Sequence, residues 1–172
     1  EMTAYFHSAL LTLSRMPAAV VAAVNGMAAG GGFSLACMAD MVIAKRSAKF
    51  NFAYTRSGLT PDGGSTYFLS RLVGPQKAFD IMATNPTLSA DQAYSLGIIA
   101  RVVDDDDFES EVEALLATLM ALPSEALPRL KGLLRQSLSA SLEQQFENEA
   151  KCISEIAATP ATLATLQAFL DR

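Results

Sequence analysis

The fold is decided by one stretch of the chain, which reads AAVVAAVNGMAAGGGFSLA at residues 18–36. Its first part is short, apolar and partly β-branched up to Asn25-Gly26, a pattern typical of a buried strand in a parallel sheet. Gly30-Gly31-Gly32 follows, and the sequence turns helical from Phe33 to Met38. A glycine run at a helix start lets a ligand atom approach backbone N–H groups, which favour anions there. On these residues alone, a tight strand-to-helix turn without a ligand is an equal alternative.

Further strands and helices extend outward from this stretch. Ahead of it, the apolar positions between Tyr5 and Met16 fall on one side of a helix that Pro17 ends. Behind it, a loop rich in turn residues is expected at Gly58–Ser65. The other predicted elements of this part are strands at Asp40–Ala44, Lys49–Phe52 and Ile98–Val103, and helices from Thr66, at Pro75–Thr84 and from Ser89 to Gly97.

The character of the chain changes after the acidic run Asp104–Asp107. Four amphipathic helices are predicted beyond it, at Glu109–Leu122, Ser124–Leu138, Leu142–Ala158 and Ala161–Leu170. We therefore predict two domains, an α/β part over residues 1–103 and a helical part over residues 104–172. The acidic run is expected to be a solvated loop leading into a helix, where negative charge is stabilising. A calcium site there is the weaker alternative.

Composition limits the classes of function. The 172 residues carry a formal net charge of −5 and are 51% hydrophobic, which is enough to bury a core. No basic cluster is present to neutralise phosphates, so we expect no nucleic-acid partner. The longest apolar stretch, residues 17–41, is interrupted by Asn25, glycines and Asp40, and predicts no membrane span. Cys37 and Cys152 form neither a disulfide framework nor a metal-ligand pattern, so a reducing, cytoplasmic setting is expected.

Ser34 is a candidate nucleophile, because it lies where a strand turns into a helix. The hydrolase motif needs glycine two residues before and two residues after the serine. Gly32 meets the first requirement, but Ala36 stands at the second position. His7, the one histidine of the sequence, is expected to be an exposed helix residue. The glycine spacing also fits neither a dinucleotide fingerprint nor a P-loop, so a serine hydrolase and a nucleotide site are both disfavoured.

Taken in order, the segments of this chain resemble the enoyl-CoA hydratase/isomerase (crotonase) family. The signature segment is the stretch from Pro17 to Ala36. Shorter pieces agree in order and spacing: Asp40, Ala48-Lys49-Phe50, Gly58-Leu59-Thr60-Pro61, Arg71-Leu72-Val73-Gly74, Ser89-Ala90-Asp91-Gln92-Ala93 and Leu96-Gly97-Ile98-Ile99. The resemblance runs from about Ser14 to Val103 and, more loosely, through the later helices. It implies a crotonase-like β-β-α superhelix core, a helical C-terminal part and an isomerase or lyase that acts on acyl-coenzyme A, as in fatty acid metabolism.

The resemblance also gives the glycine run a role. In the family, the middle glycine donates its N–H to the thioester oxygen, and the matching residue is Gly31. One fixed donor of this kind stabilises the developing negative charge by roughly 3–4 kcal/mol. Gly30, Gly32 and Phe33 are expected to bind the substrate beside it. The family's second donor lies in an earlier alanine- or serine-glycine segment, so the resemblance implies an N-terminal part ahead of Glu1.

The type of reaction depends on which residues are acidic. Hydratases of the family activate water with two glutamates, and the matching residues here are Ser34 and Tyr54. Neither is an effective base at neutral pH. The isomerase branches instead place an acidic residue between proline and glycine, and Pro61-Asp62-Gly63 matches them. We therefore predict Asp62 and Gly31 as the catalytic residues, with Ser34, Tyr54, Pro61 and Gly63 among the substrate-binding residues.

Asp62 also has a simpler interpretation. Pro-Asp-Gly is common in turns, and aspartate ahead of a helix is a common N-cap. The family resemblance makes the catalytic base the favoured interpretation. Asp62 would then remove a proton next to the thioester carbonyl and return it two carbons further on, which moves the double bond.

The resemblance further implies which partners and cofactors to expect. No metal and no redox cofactor is expected, because coenzyme A enters as part of the substrate. A homotrimer or a hexamer made of two trimers is expected, with the helices from Leu142 onward against a neighbouring subunit. Lys131, Arg135 and Lys151 are candidates for the coenzyme A phosphates, although single charges on helices are expected at the surface. A hydratase, another reaction of this family and a catalytically inactive member remain the alternatives.

Overall fold

The structure, a computed structural model, describes residues 1–171 of the chain. Contacts divide the chain into two units. The first unit comprises residues 1–15 and 20–115, and the second comprises residues 16–19 and those from 116 onward. The predicted domain boundary after Val103 remains a prediction.

The first unit alternates short strands with helices, as the sequence predicts. Its helices are α1 (Met2–Arg15), α2 (Gly31–Met38), α3 (Ser65–Val73), α4 (Pro75–Thr84), α5 (Ala90–Ser95) and the first part of α6 (Phe108–Met120). Its strands are β1 (Val21–Val24), β2 (Met27–Ala29), β3 (Met41–Lys45), β4 (Lys49–Asn51), β5 (Leu88–Ser89) and β6 (Arg101–Val103). Single 3-10 turns lie at Thr55–Ser57 and Asp105–Asp107.

The strands of this unit form two small sheets. One has the order β1-β3-β6 with parallel neighbours, which confirms the predicted parallel type of the strand at residues 21–24. The other has the order β2-β4-β5, in which β2 and β4 are parallel and β5 is antiparallel to β4. The sequence did not predict β2 and β5, because strands of three and two residues are too short for a periodic pattern. It also placed the start of α2 at Phe33, whereas the helix begins at Gly31.

Aromatic side chains fix the start of α2 against β4. Phe33, Phe50 and Phe52 are fully buried, with at most 1% of each exposed. The Phe33 ring stacks on Phe52 with centroids 4.3 Å apart and lies 5.4 Å from Phe50. Removing a buried phenylalanine side chain costs about 3–5 kcal/mol. This cluster therefore holds the glycine run and the strand end that follows β4 in a fixed arrangement.

The second unit contains the end of α6 and the helices α7 (Ala126–Ser137), α8 (Leu142–Ala157) and α9 (Pro160–Leu170). Ser141 and Thr159 cap α8 and α9 by accepting backbone N–H bonds with their hydroxyls. Lys131 is buried, and its ammonium group donates to the carbonyl of Ala18 at 3.0 Å. The expectation that Lys131 lies at the surface was therefore wrong, because the long stem of the lysine packs inward while its charge finds a carbonyl.

Many large apolar side chains of the second unit are exposed. Those at least 60% exposed are Met120, Leu134, Leu142, Phe146, Ile153, Phe169 and Leu170. None of the helices within residues 1–171 has both the length and the apolar character needed to cross a membrane.

Candidate active site

The glycine run forms the turn between β2 and α2. The N–H of Gly30 donates to the carbonyl of Asn51 at 2.9 Å, and its own carbonyl accepts from the N–H groups of Phe33 and Ser34. Gly30 has φ 53°, a conformation that glycine adopts without strain. Because α2 begins at Gly31, the N–H of Gly31 has no acceptor within the helix. The same residues can therefore form the tight strand-to-helix turn and present the Gly31 N–H as a donor for an oxyanion.

Asp62 lies in the loop ahead of α3 and is half-buried. Its carboxylate Oδ1 accepts a hydrogen bond from the Tyr54 hydroxyl at 2.5 Å. Its backbone carbonyl accepts from the hydroxyls of Ser34 and Ser65, both at 2.9 Å. The N-cap of α3 is Gly64, so the Asp62 side chain is not the cap that the simpler interpretation suggested. The carboxylate is instead directed toward Tyr54.

Gly63 presses this loop against α1 and α2. Its φ is 63°, and a Cβ there would lie 2.6 Å from the Phe6 ring and 2.8 Å from the Cβ of Ser34. Only glycine fits so close an approach. The Gly63 N–H also donates to Nε2 of His7 at 3.0 Å. His7 is exposed, as predicted, but sequence reasoning missed this bond, which joins residues 56 positions apart.

Tyr54 connects the glycine run to Asp62. Its hydroxyl, bonded to Asp62, lies 3.9 Å from the positions that a Cβ of Gly30 or of Gly31 would occupy. Burial raises the pKa of Tyr54 above its ordinary value, and the hydrogen bond to Asp62 raises it further. At neutral pH Tyr54 is therefore a neutral phenol that donates to the carboxylate.

Ser34 is fully buried and joins α2 to the Asp62 loop. Its hydroxyl donates to the carbonyl of Asp62, so the hydroxyl proton is held by backbone. The imidazole of His7 accepts from Gly63 rather than from Ser34. This geometry is that of a structural serine and offers no nucleophile–base pair.

The predicted site residues fall into two groups. The structure brings together Gly30, Gly31, Ser34, Tyr54, Asp62 and Gly63. It does not bring the Phe33 side chain to a surface, because that ring lies in the core. A Cβ at Gly32 would have no neighbour within 4 Å, and Pro61 is half-buried beside Asp62.

The acidic run is engaged in local contacts rather than in a ligand site. Asp104 accepts from the Arg46 guanidinium at 2.7 Å. Asp105 accepts from the backbone N–H of Ser47 at 3.0 Å and from its hydroxyl. Within residues 1–171, no group of three or more histidine, cysteine or acidic residues is arranged to hold a metal ion.

Several known proteins are similar to this chain in sequence. A sequence model of the enoyl-CoA hydratase/isomerase family matches residues 2–172. A probable enoyl-CoA hydratase of Rhodobacter capsulatus is 40% identical over 91% of this chain and 61% of its own length. The 1,2-epoxyphenylacetyl-CoA isomerase of Escherichia coli is 36% identical over 84% of this chain and 55% of its own length. A 4-chlorobenzoyl coenzyme A dehalogenase of an Arthrobacter species is 33% identical over 84% of this chain and 52% of its own length.

A solved structure gives the same result for the fold. The enoyl-CoA hydratase of Polaromonas sp. JS666 matches with a TM-score of 0.92 at 31% identity, over 96% of this chain and 65% of that one. The likeness confirms the predicted crotonase-like fold. The chain spans between about half and two thirds of the length of these relatives.

Proposed function

This chain belongs to the enoyl-CoA hydratase/isomerase family, and we propose that it shifts a carbon–carbon double bond within an acyl-coenzyme A thioester. One observation supports this most directly. The Asp62 carboxylate is held by the Tyr54 hydroxyl, which itself lies 3.9 Å from the Cβ position of Gly31. A base and a backbone donor for an oxyanion are the two groups that such a reaction needs.

The proposed reaction uses Asp62 as a proton shuttle. In a 3-enoyl thioester, the carboxylate takes a proton from the carbon next to the thioester carbonyl. The electron pair moves onto the carbonyl oxygen, where the Gly31 N–H donates to the resulting dienolate. Protonated Asp62 then gives the proton to the carbon two positions further on. The product is the conjugated 2-enoyl thioester, and the enzyme returns to its starting state.

Tyr54 has a supporting role in this mechanism. Its hydrogen bond fixes the orientation of the Asp62 carboxylate. Because its pKa is raised, Tyr54 stays protonated through the cycle at neutral pH. The same residue stands where hydratases of the family place an acidic group. The hydroxyl of Ser34 is likewise occupied by a backbone carbonyl, so neither position activates water.

A second candidate reaction is hydrolytic dehalogenation of an aromatic acyl-coenzyme A. Two observations favour it: a relative bears the name of such an enzyme, and His7 adjoins the Asp62 loop through the Gly63 N–H. Asp62 would attack the halogen-bearing carbon, chloride would leave, and water would hydrolyse the resulting ester with an imidazole as base. That imidazole must first release Gly63, which is why isomerisation is the better-supported proposal.

A substrate panel separates these reactions. The protein encoded by the full reading frame is assayed for isomerisation of 3-hexenoyl-coenzyme A, hydration of crotonyl-coenzyme A and chloride release from 4-chlorobenzoyl-coenzyme A. We expect isomerisation to exceed the other two. Robust hydration would require a water-activating group other than Ser34 and Tyr54, and chloride release would favour the second candidate. No turnover of any substrate would identify an inactive member.

We also propose that the assembled protein is a homotrimer or a pair of trimers in the cytoplasm. The exposed apolar side chains of α8 and α9 support this, since extended apolar surfaces mark interfaces. Both cysteines are free thiols, as suits a reducing compartment. Sedimentation of the full-length protein at micromolar concentration is expected to give a trimer or hexamer, and a stable monomer would contradict the proposal.

A further inference from the structure

Two residues near the candidate site have a left-handed backbone conformation. Within residues 1–171, Ala53 (φ 60°) and Asn85 (φ 56°) are the non-glycine residues with positive φ. They are joined directly, because the N–H of Ala53 donates to Oδ1 of Asn85 at 2.8 Å. Asparagine commonly ends a helix in this conformation, and Asn85 does so for α4. Alanine rarely adopts this conformation, because its Cβ then lies too close to the backbone. The positive φ at Ala53 therefore persists only where its surroundings impose it.

The Asn85 carboxamide holds both neighbours of Tyr54. Its oxygen accepts from Ala53, and its Nδ2 donates to the Thr55 hydroxyl at 3.2 Å. Asn85 is fully buried, so these bonds do not compete with water. Capping of α4 needs only the backbone N–H of Asn85, which donates to Ile81. The two side-chain bonds therefore require a different explanation.

A second asparagine extends these contacts to the glycine run. Nδ2 of Asn51 donates to the carbonyls of Asn85 and Pro86 at 3.1 and 3.0 Å. The backbone carbonyl of Asn51 accepts from the Gly30 N–H, which begins the turn that presents Gly31. Asn85 is thus connected to the residues on either side of Tyr54 and, through Asn51, to the glycine turn.

We propose that Asn85 is a positioning residue that imposes the left-handed turn at Ala53 and thereby directs the Tyr54 hydroxyl at Asp62. Without the carboxamide, Ala53 relaxes to negative φ and the Tyr54 ring moves away from the carboxylate. Asp62 then loses the donor that orients it. The catalytic consequence rests on the proposed function, whereas the effect on Tyr54 itself does not.

The test compares three variants of the full-length protein. Asn85→Gly removes the carboxamide but keeps the backbone conformation, because glycine is the residue best suited to this helix end. Asn85→Asp keeps a side-chain oxygen for the Ala53 N–H and serves as the rescue. Ile81→Val lowers stability in the same helix without breaking either bond, and so controls for a merely structural loss.

The first readout is the titration of Tyr54, followed by NMR of protein labelled with ¹³C at the tyrosine Cζ and assigned with Tyr54→Phe. We expect the pKa of Tyr54 to fall toward its ordinary value in Asn85→Gly, and to stay raised in Asn85→Asp and Ile81→Val. The second readout is steady-state kinetics with the active substrate of the panel. In Asn85→Gly we expect kcat to fall roughly tenfold to a hundredfold with KM nearly unchanged, as for a misplaced catalytic group.

Each outcome decides one proposal. A folded Asn85→Gly protein in which Tyr54 titrates as in the wild type would overturn the positioning role. If Asn85→Gly does not fold, Thr55→Val decides, because Thr55 is exposed and its loss removes one of the two bonds. A smaller shift of Tyr54 in the same direction is then expected, and no shift would overturn the role. A wild type that does not isomerise would contradict the proposed function alone, since the Tyr54 titration needs no substrate.

Discussion

The two units of this chain treat their apolar side chains in opposite ways. In the first unit Phe33, Phe50 and Phe52 are at most 1% exposed and pack on one another. In the second unit Phe146 and Phe169 are 60% and 71% exposed. In both units most of the helices and strands are predicted from a comparable periodic spacing of apolar residues in the sequence. A pattern therefore predicts that a helix or strand forms and which face is apolar, but it does not say what covers that face.

The units differ equally in their concave features. The second unit has a groove of about 660 Å³ lined mainly by apolar residues of α7 and α8, among them Leu130, Leu133, Phe146 and Ile153. The first unit has instead a small polar cluster of Tyr54, Asp62 and the glycine turn. Only the cluster offers a base beside an oxyanion donor. The chemistry of the residues, rather than the size of the groove, thus identifies the candidate site.

The sharpest test of the first unit is Asp62→Asn. Asparagine keeps the size of the side chain and can still accept from Tyr54, but it is not a base. Isomerisation should fall by roughly 10²–10⁴-fold, the range of a lost general base. Thermal stability should hardly change, because Asp62 does not cap α3. The matched control is Asp91→Asn, which removes a surface carboxylate paired with Arg46 and should leave the rate unchanged. Normal isomerisation by Asp62→Asn would end the proposed mechanism.

A slightly smaller loss is expected for Gly31→Pro. Proline removes the N–H and is tolerated as the first residue of a helix, which Gly31 is. The rate should fall by roughly 10²–10³-fold, as for other oxyanion donors. Gly31→Ala separates the donor from the added bulk, since it keeps the N–H and brings a Cβ to 3.4 Å from Phe6. Similar rates for the two variants would show that crowding, and not the donor, limits this position.

Stability measurements test directly whether apolar side chains are buried in the first unit and exposed in the second. Phe33→Ala should lower the free energy of unfolding by about 3–5 kcal/mol. Phe146→Ala in the second unit should cost no more than about 0.5 kcal/mol at protein concentrations low enough to dissociate the proposed trimer, where its ring stays in water. Urea unfolding of both variants at several protein concentrations checks this. A large cost at Phe146 that grows with concentration would mean that a second copy covers the helical face, as the proposed trimer requires.

The smallest effect concerns the two thiols, one in each unit. Burial raises the pKa of Cys37 to about 12, so its reactive thiolate is scarce between about pH 7 and about pH 9. Cys152 is half-buried and lines the groove. Iodoacetamide should therefore modify Cys152 first and Cys37 only after unfolding, as mass spectrometry can show. Because folding raises the pKa of Cys37, its contribution to stability is lost as the pH rises toward 12. Equal labelling rates would place Cys37 outside the core.

Much of the first unit could be predicted from local signals. Pro17 ends α1, Asn25-Gly26 follows β1, and Pro75 begins α4, all as expected. The capping box of Ser89 and Gln92 starts α5 where polar residues indicated a helix. β2 was missed because its three residues merge with the glycine run. Local rules work at these positions because each depends on one residue and its immediate neighbours.

The sequence by itself determined most of the elements, the family and the residue types of the candidate site, including Asp62 and Gly31. Only the tertiary structure decided how these groups meet: Tyr54 on Asp62, His7 on Gly63, and Asn85 on Ala53. The physical reason is the range of the interactions. Helix periods, caps and turn residues act over a few positions, whereas these bonds join separate segments that approach one another only after the core has packed. A positive φ at Ala53 is likewise imposed by its partner, because alanine itself does not prefer it.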